Sequence, residues 1–157
     1  MATRHRHHPS ESSKAVPFVV ETSTLSDEQV EAMMARIHAV PMMHTLDLEV
    51  LRLDEGECEA KVKRKKEWDG IYETFHGGML GVIADSITCF AILTTIGADQ
   101  NVATTDFNIR FLRPCNTDVT CVGRVIKAGR TLCVSEAEVK DTNGKVVAIA
   151  QVTYARL

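Results

Sequence analysis

Apolar positions along this chain recur with two periods, and one long segment follows neither. Leu46, Leu48 and Val50 alternate with polar residues, and Leu51 and Leu53 carry the apolar character on to Asp54. After Glu55-Gly56, the stretch Glu57 to Arg64 alternates again through Cys58, Ala60 and Val62, so the two runs predict a β-hairpin. Val102 to Leu112 alternates strictly. It places Ala103, Thr105, Phe107, Ile109 and Phe111 on one predicted face, and Thr104, Asp106, Asn108 and Arg110 on the other. Pro114 ends that strand. Three more strands are predicted over Asp118 to Ala128, Thr131 to Asp141 and Lys145 to Arg156, with turns at Ala128-Gly129-Arg130 and Thr142-Asn143-Gly144. The helical period appears near the start, where Ser26 and Gln29 form a capping box. Val30, Met33, Met34 and Ile37 then share one face, and Pro41 is expected to stop the helix.

The exceptional segment runs from Phe75 to Gly97. It is apolar all round, opens on His76-Gly77-Gly78, and carries a single charge, Asp85. Its length suits one helix closed by Gly97, buried rather than amphipathic. Met79 to Ala98 is long enough to test as a membrane span. A central Asp opposes insertion by about 2.5–3.5 kcal/mol, and six strand-like segments offer the helix a protein surface instead. No membrane span is expected. Short helix, hairpin, long helix and four antiparallel strands make an α+β chain, with a sheet covering one central helix.

Composition narrows the class. The 157 residues suit one domain over 17–157, preceded by a flexible polar tail over 1–16 that includes His5, His7 and His8; Pro17 to Val20 reads as extended. A net charge of −3 gives no long-range attraction for nucleic acid or anionic lipid. The five cysteines are odd in number and show no C-x-x-C spacing. They read as buried thiols in a reducing compartment, the cytoplasm or, as the second choice, the mitochondrial matrix. No apolar leader core follows the start, and no cofactor or metal is called for.

The long helix has the parts of a hydrolytic site. N–H groups at a helix start are free to receive developing negative charge, and glycine at 77 and 78 lets a carbonyl approach the backbone. Asp85 supplies a base. The bland alternative is that Asp85 merely bonds a neighbouring backbone group or threonine. Eight helical residues rise ~12 Å, so Gly77 and Asp85 of one chain cannot both reach one carbonyl. Two-fold pairing of antiparallel helices would bring each Asp85 to the other copy's Gly77, which predicts a dimer with composite sites. His76 reads as a positioning or packing residue.

Several motifs together carry a family resemblance: His76-Gly77-Gly78, Asp85, Asp106 to Pro114, Gly129-Arg130-Thr131 and Asn143-Gly144-Lys145. Over roughly Leu46 to Tyr154 the chain resembles the hotdog-fold acyl-CoA thioesterases of the PaaI type. The resemblance implies a hotdog fold, an acyl-CoA substrate, and homodimers that pair into tetramers. It implies Asp85 as general base or nucleophile, the Gly77 N–H as oxyanion donor, and Thr104 as the residue that positions water, with Thr105 as the alternative. His76 and Gly78 fall beside the substrate, and Arg113, Lys127 and Arg130 are candidates for the CoA phosphates. The family commonly has an Asn six residues before the histidine, where this chain has Gly70. Trp68 N–H or the backbone amides of Asp69-Gly70 are the candidate replacements. The alternative reading is a hotdog protein that binds acyl-CoA without catalysis.

Overall fold

The period-two segments assemble into one six-stranded antiparallel sheet of order β1-β2-β4-β5-β6-β3 in the computed structural model, which describes residues 23–157. The predicted tail and the stretch Pro17 to Val20 lie outside the described residues. The strands are β1 Glu49–Asp54, β2 Glu57–Val62, β3 Val102–Phe111, β4 Val119–Ala128, β5 Leu132–Asp141 and β6 Val146–Arg156. The helices are α1 Asp27–His38, α2 Pro41–Leu46 and α3 Gly77–Ile96. α3 packs on all six strands, and Leu80, Ile83, Ala84, Ile87, Ala91 and Ile92 are buried. The apolar helix is therefore the core of the sheet's concave side, which is the hotdog architecture.

Local chemistry accounts for the ends of these elements. Ser26 accepts from the Gln29 N–H while the Gln29 side chain accepts from the Ser26 N–H, closing the capping box of α1. Gly97 ends α3 with φ +117°, a conformation that favours glycine. Gly123 on β4 sits where an added Cβ would lie 3.0 Å from the Ile87 and Thr88 backbone. The sheet can approach α3 this closely only because that position lacks a side chain.

Two expectations from patterning are corrected. Pro41 does not simply end helical structure: it occupies the first turn of α2, where its missing N–H costs nothing, and Met43 and Leu46 turn inward. Leu46 therefore belongs to a helix, and β1 starts later. The alternation of β3 is also broken. Thr104 pairs with Tyr154 and Asp106 with Thr153, so a bulge leaves Thr105 unpaired. Thr104 and Phe107 then face the same side, which a regular strand would forbid. β3 reaches the sheet edge beside β6, away from β4, and most of its residues are exposed.

Candidate functional site

Along α3, residues 77, 78, 81, 82 and 85 fall on one stripe, as helical spacing requires. With His76, Thr104, Phe107, Ile109 and Phe111 they line a trough of about 730 Å³ between the helix and β3. Gly77 and Gly81 shape it. An added Cβ at Gly77 would meet the Phe111 ring at 2.9 Å, and one at Gly81 would meet the Phe107 ring at 3.5 Å. Two glycines four apart thus receive two phenylalanines four apart on the strand. This packing accounts for the four-residue spacing of the two glycines.

The helix start is chemically open. His76 caps α3: its Nδ1 accepts from the Gly78 N–H at 2.9 Å, which leaves the ring proton on Nε2. The His76 carbonyl accepts from the Met79 and Leu80 N–H groups. The Gly77 N–H has no partner among the described residues. That donor lies on the trough wall, as an oxyanion donor must.

Asp85 sits further along the same wall and is half-buried rather than fully enclosed. Its Oδ1 accepts from Thr104 Oγ1 at 2.8 Å and from Tyr154 Oη at 3.0 Å. Thr105 instead donates to the Thr153 carbonyl at 3.2 Å, so of the two threonines it is Thr104 that meets Asp85. Thr88 Oγ1 lies 2.7 Å from Tyr154 Oη. Tyr154 and Thr88 went unseen in the sequence, although a tyrosine at an inward position of β6 was the available signal. Burial pushes the Tyr154 phenol far above the ordinary tyrosine range, with the nearby Asp85 charge adding to it. Burial likewise pushes the Cys89 thiol up to about 11, Asp85 again contributing, so Cys89 is a poor nucleophile near neutral pH.

The loop ahead of α3 is held by Arg64, whose guanidinium pairs with Asp69 and donates to the Asn116 and Glu73 carbonyls. The Asp69 and Gly70 amides are committed to the Lys66 and Thr74 carbonyls, which removes them as substitute oxyanion donors. The Ile71, Tyr72 and Thr74 amides have no partner among the described residues, and these residues line a hollow of about 590 Å³ beside His76 and Gly77. Trp68 borders neither space. Arg113, Lys127 and Arg130 are exposed and line neither the trough nor the hollow. The structure thus joins His76, Gly77, Gly78, Asp85 and Thr104, and leaves Thr105 and the three cations outside.

Known proteins share both sequence and shape with this chain. The thioesterase superfamily profile matches residues 72–148. A provisionally named esterase of Saccharolobus solfataricus is 33% identical over 106 residues, covering 67% of this chain and 75% of that protein. Human acyl-coenzyme A thioesterase 13 is 30% identical over 94 residues, covering 58% of this chain and 65% of that protein. A conserved protein of Pseudomonas aeruginosa superposes with a TM-score of 0.72 at 29% identity, over 81% of this chain and 98% of the other. The PaaI protein of the E. coli phenylacetic acid degradation operon shares the fold, with a TM-score of 0.78 at 20% identity over 85% and 96% of the two chains. With a free glycine N–H and a carboxylate on one wall of a helix-and-sheet trough, the chain belongs to the thioesterase superfamily and has its hotdog fold.

Proposed function

We propose that the protein hydrolyses acyl-CoA thioesters to a carboxylic acid and free CoA, at sites shared between two copies of the chain. Thioester hydrolysis follows from the family; the acyl-CoA substrate, the role of Asp85 and the sharing are the added steps. The observation that carries the reading is the trough with Gly77 at one end and Asp85 towards the other. Both groups face the same space, yet helical rise separates them by ~12 Å. One carbonyl can meet both kinds of group only if the second comes from another, antiparallel α3.

In such a site the thioester oxygen receives the Gly77 N–H. The Asp85 carboxylate of the second copy either takes a proton from water, which attacks the carbonyl carbon, or attacks that carbon itself. The C–S bond then breaks, and the CoA thiolate leaves and takes up a proton. In the second route the mixed anhydride left on Asp85 is then hydrolysed by water, which releases the acid and restores the carboxylate. Thr104 spends its O–H on Asp85 and keeps lone pairs free to accept from the attacking water. The apolar wall of Val82, Phe107, Ile109 and Phe111 suits an acyl chain.

A free-thiol assay over acetyl-, hexanoyl-, palmitoyl- and benzoyl-CoA, run beside Asp85→Asn, tests the reading. Turnover of at least one thioester by the wild type, lost in a folded Asp85→Asn, is the expected result. Saturable binding of these compounds with no thiol release would favour the non-catalytic alternative. Undiminished turnover in Asp85→Asn would sink the assignment of the carboxylate.

A further inference from the structure

Both hydrogen bonds that the structure gives the Asp85 carboxylate fall on one oxygen. Oδ1 accepts from Thr104 on β3 and from Tyr154 on β6, whereas Oδ2 has no partner among the described residues and is not sealed from solvent. One oxygen is thus held from two sides while the other stays open to water or a ligand. The two donors stand opposite each other in the β3–β6 ladder, at the bulge that turns Thr104 inward.

Tyr154 is an expensive way to fill this space. It is 1% exposed, and a phenylalanine would pack the same ring without a hydroxyl to desolvate. The hydroxyl is instead placed between Thr88 Oγ1 and Asp85, its single proton shared between the Asp85 main-chain carbonyl and Oδ1. Thr88 lies less than one turn beyond Asp85 on α3 and is fully buried. The phenol is thus fixed to the helix backbone as well as to the side chain. Burial keeps it protonated, and hence a donor, well beyond neutral pH.

We infer that Tyr154 is a positioning residue for hydrolysis: with Thr104 it locks Asp85 Oδ1 and presents Oδ2 to the trough as the oxygen that reacts. This rests on the assignment of Asp85 given above. Tyr154 touches neither water nor thioester and acts through the orientation of the carboxylate. Either donor alone still anchors Oδ1, so the two are partly redundant. Losing both releases the side chain to rotate.

Kinetics of Tyr154→Phe, Thr104→Val and the double variant test this, each as the full chain and each with a thermal melt. In Tyr154→Phe, kcat should fall roughly ten- to a hundredfold with KM within about twofold, because geometry is lost while binding is kept. The double variant should lose more than the product of the two single losses. A crystal structure of the double variant should show Asp85 turned or in two conformers. Wild-type kcat in Tyr154→Phe, simply multiplied losses in the double variant, or an unmoved Asp85 in the crystal would each overturn the proposal. Should Tyr154→Phe fail to fold, Thr88→Val loosens the phenol from the other side, and its unaltered kcat would overturn it equally. Undiminished turnover in Asp85→Asn, by contrast, removes the hydrolytic assignment itself.

Discussion

At the scale of single residues, the sharpest question is whether the Gly77 N–H does chemistry or only begins a helix. Proline is tolerated at the first helical position, and His76, at φ −60° and ψ 131°, already has the extended backbone that a following proline demands. Gly77→Pro therefore deletes the donor with the helix intact. Gly77→Ala is the matched control, since its Cβ also presses on Phe111 but its N–H remains. Relative to Gly77→Ala, Gly77→Pro should lose about 10²–10³ in kcat, the usual effect of removing one oxyanion donor, as read by free-thiol release. Most residues that line the candidate site were legible in advance: His76-Gly77-Gly78 and the lone Asp85 stand out against an apolar helix. Tyr154 did not stand out, because an inward aromatic on a strand has the same pattern whether its hydroxyl has a task or not. Thr104 and Thr105 could not be separated by pattern either, since alternation carries no record of a bulge.

At the scale of elements, β4 and α3 meet backbone to backbone at Gly123. Gly123→Ala puts a methyl group 3.0 Å from Ile87 and Thr88 main-chain atoms, which cannot rotate away as a side chain can. The variant should be destabilised by about 1–3 kcal/mol in denaturant unfolding, the cost of overpacking. Since Ile87 and Thr88 lie two and three residues beyond Asp85 on the same helix, its kcat should fall as well. The strands were predictable to within a few residues because apolar and polar residues alternate along them, and α3 because its apolar run is unbroken from the His-Gly-Gly to Gly97. α2 was missed because a proline was read only as a stop, although it serves equally well as a first residue. The order of strands in the sheet was not legible, because pairing at the far edge depends on how the sheet curls round α3.

At the scale of the whole molecule, sharing of sites makes a prediction that no single chain could satisfy. In mixtures of Asp85→Asn with Gly77→Pro chains, each heterodimer would combine one intact Gly77 with one intact Asp85. Co-refolded mixtures should recover about one quarter of wild-type turnover, whereas mixtures of already formed homodimers should remain inactive until subunits exchange. No recovery after co-refolding would place each site within one chain. Stability at high pH is a second whole-molecule property. Burial pushes the Cys121 thiol up to about 12 from an ordinary 9.0, and that of Cys89 to about 11. Above pH 9 the unfolded chain gives up these protons while the native one keeps them. Native stability should therefore be full below pH 9 and fall as pH rises towards 12, by up to about 1.4 kcal/mol per pH unit for each thiol. Urea melts between pH 7 and 11 would show this, and Cys121→Ala should flatten the decline.

The bulge at Thr105 has one more consequence, best put in terms of parity. Before it, even-numbered residues of β3 face the helix; after it, odd-numbered residues do. Thr105 is therefore the place where the strand can shorten by one residue without turning anything round. Deleting Thr105 should close the bulge, leaving Thr104 against Asp85 and Phe107 and Phe111 over the two glycines. Deleting Ile109 instead would turn Phe111 away from Gly77 and unroof the Gly77 end of the trough. Comparing thiol release by the two deletion variants would show whether the site tolerates a change in strand length at this position alone.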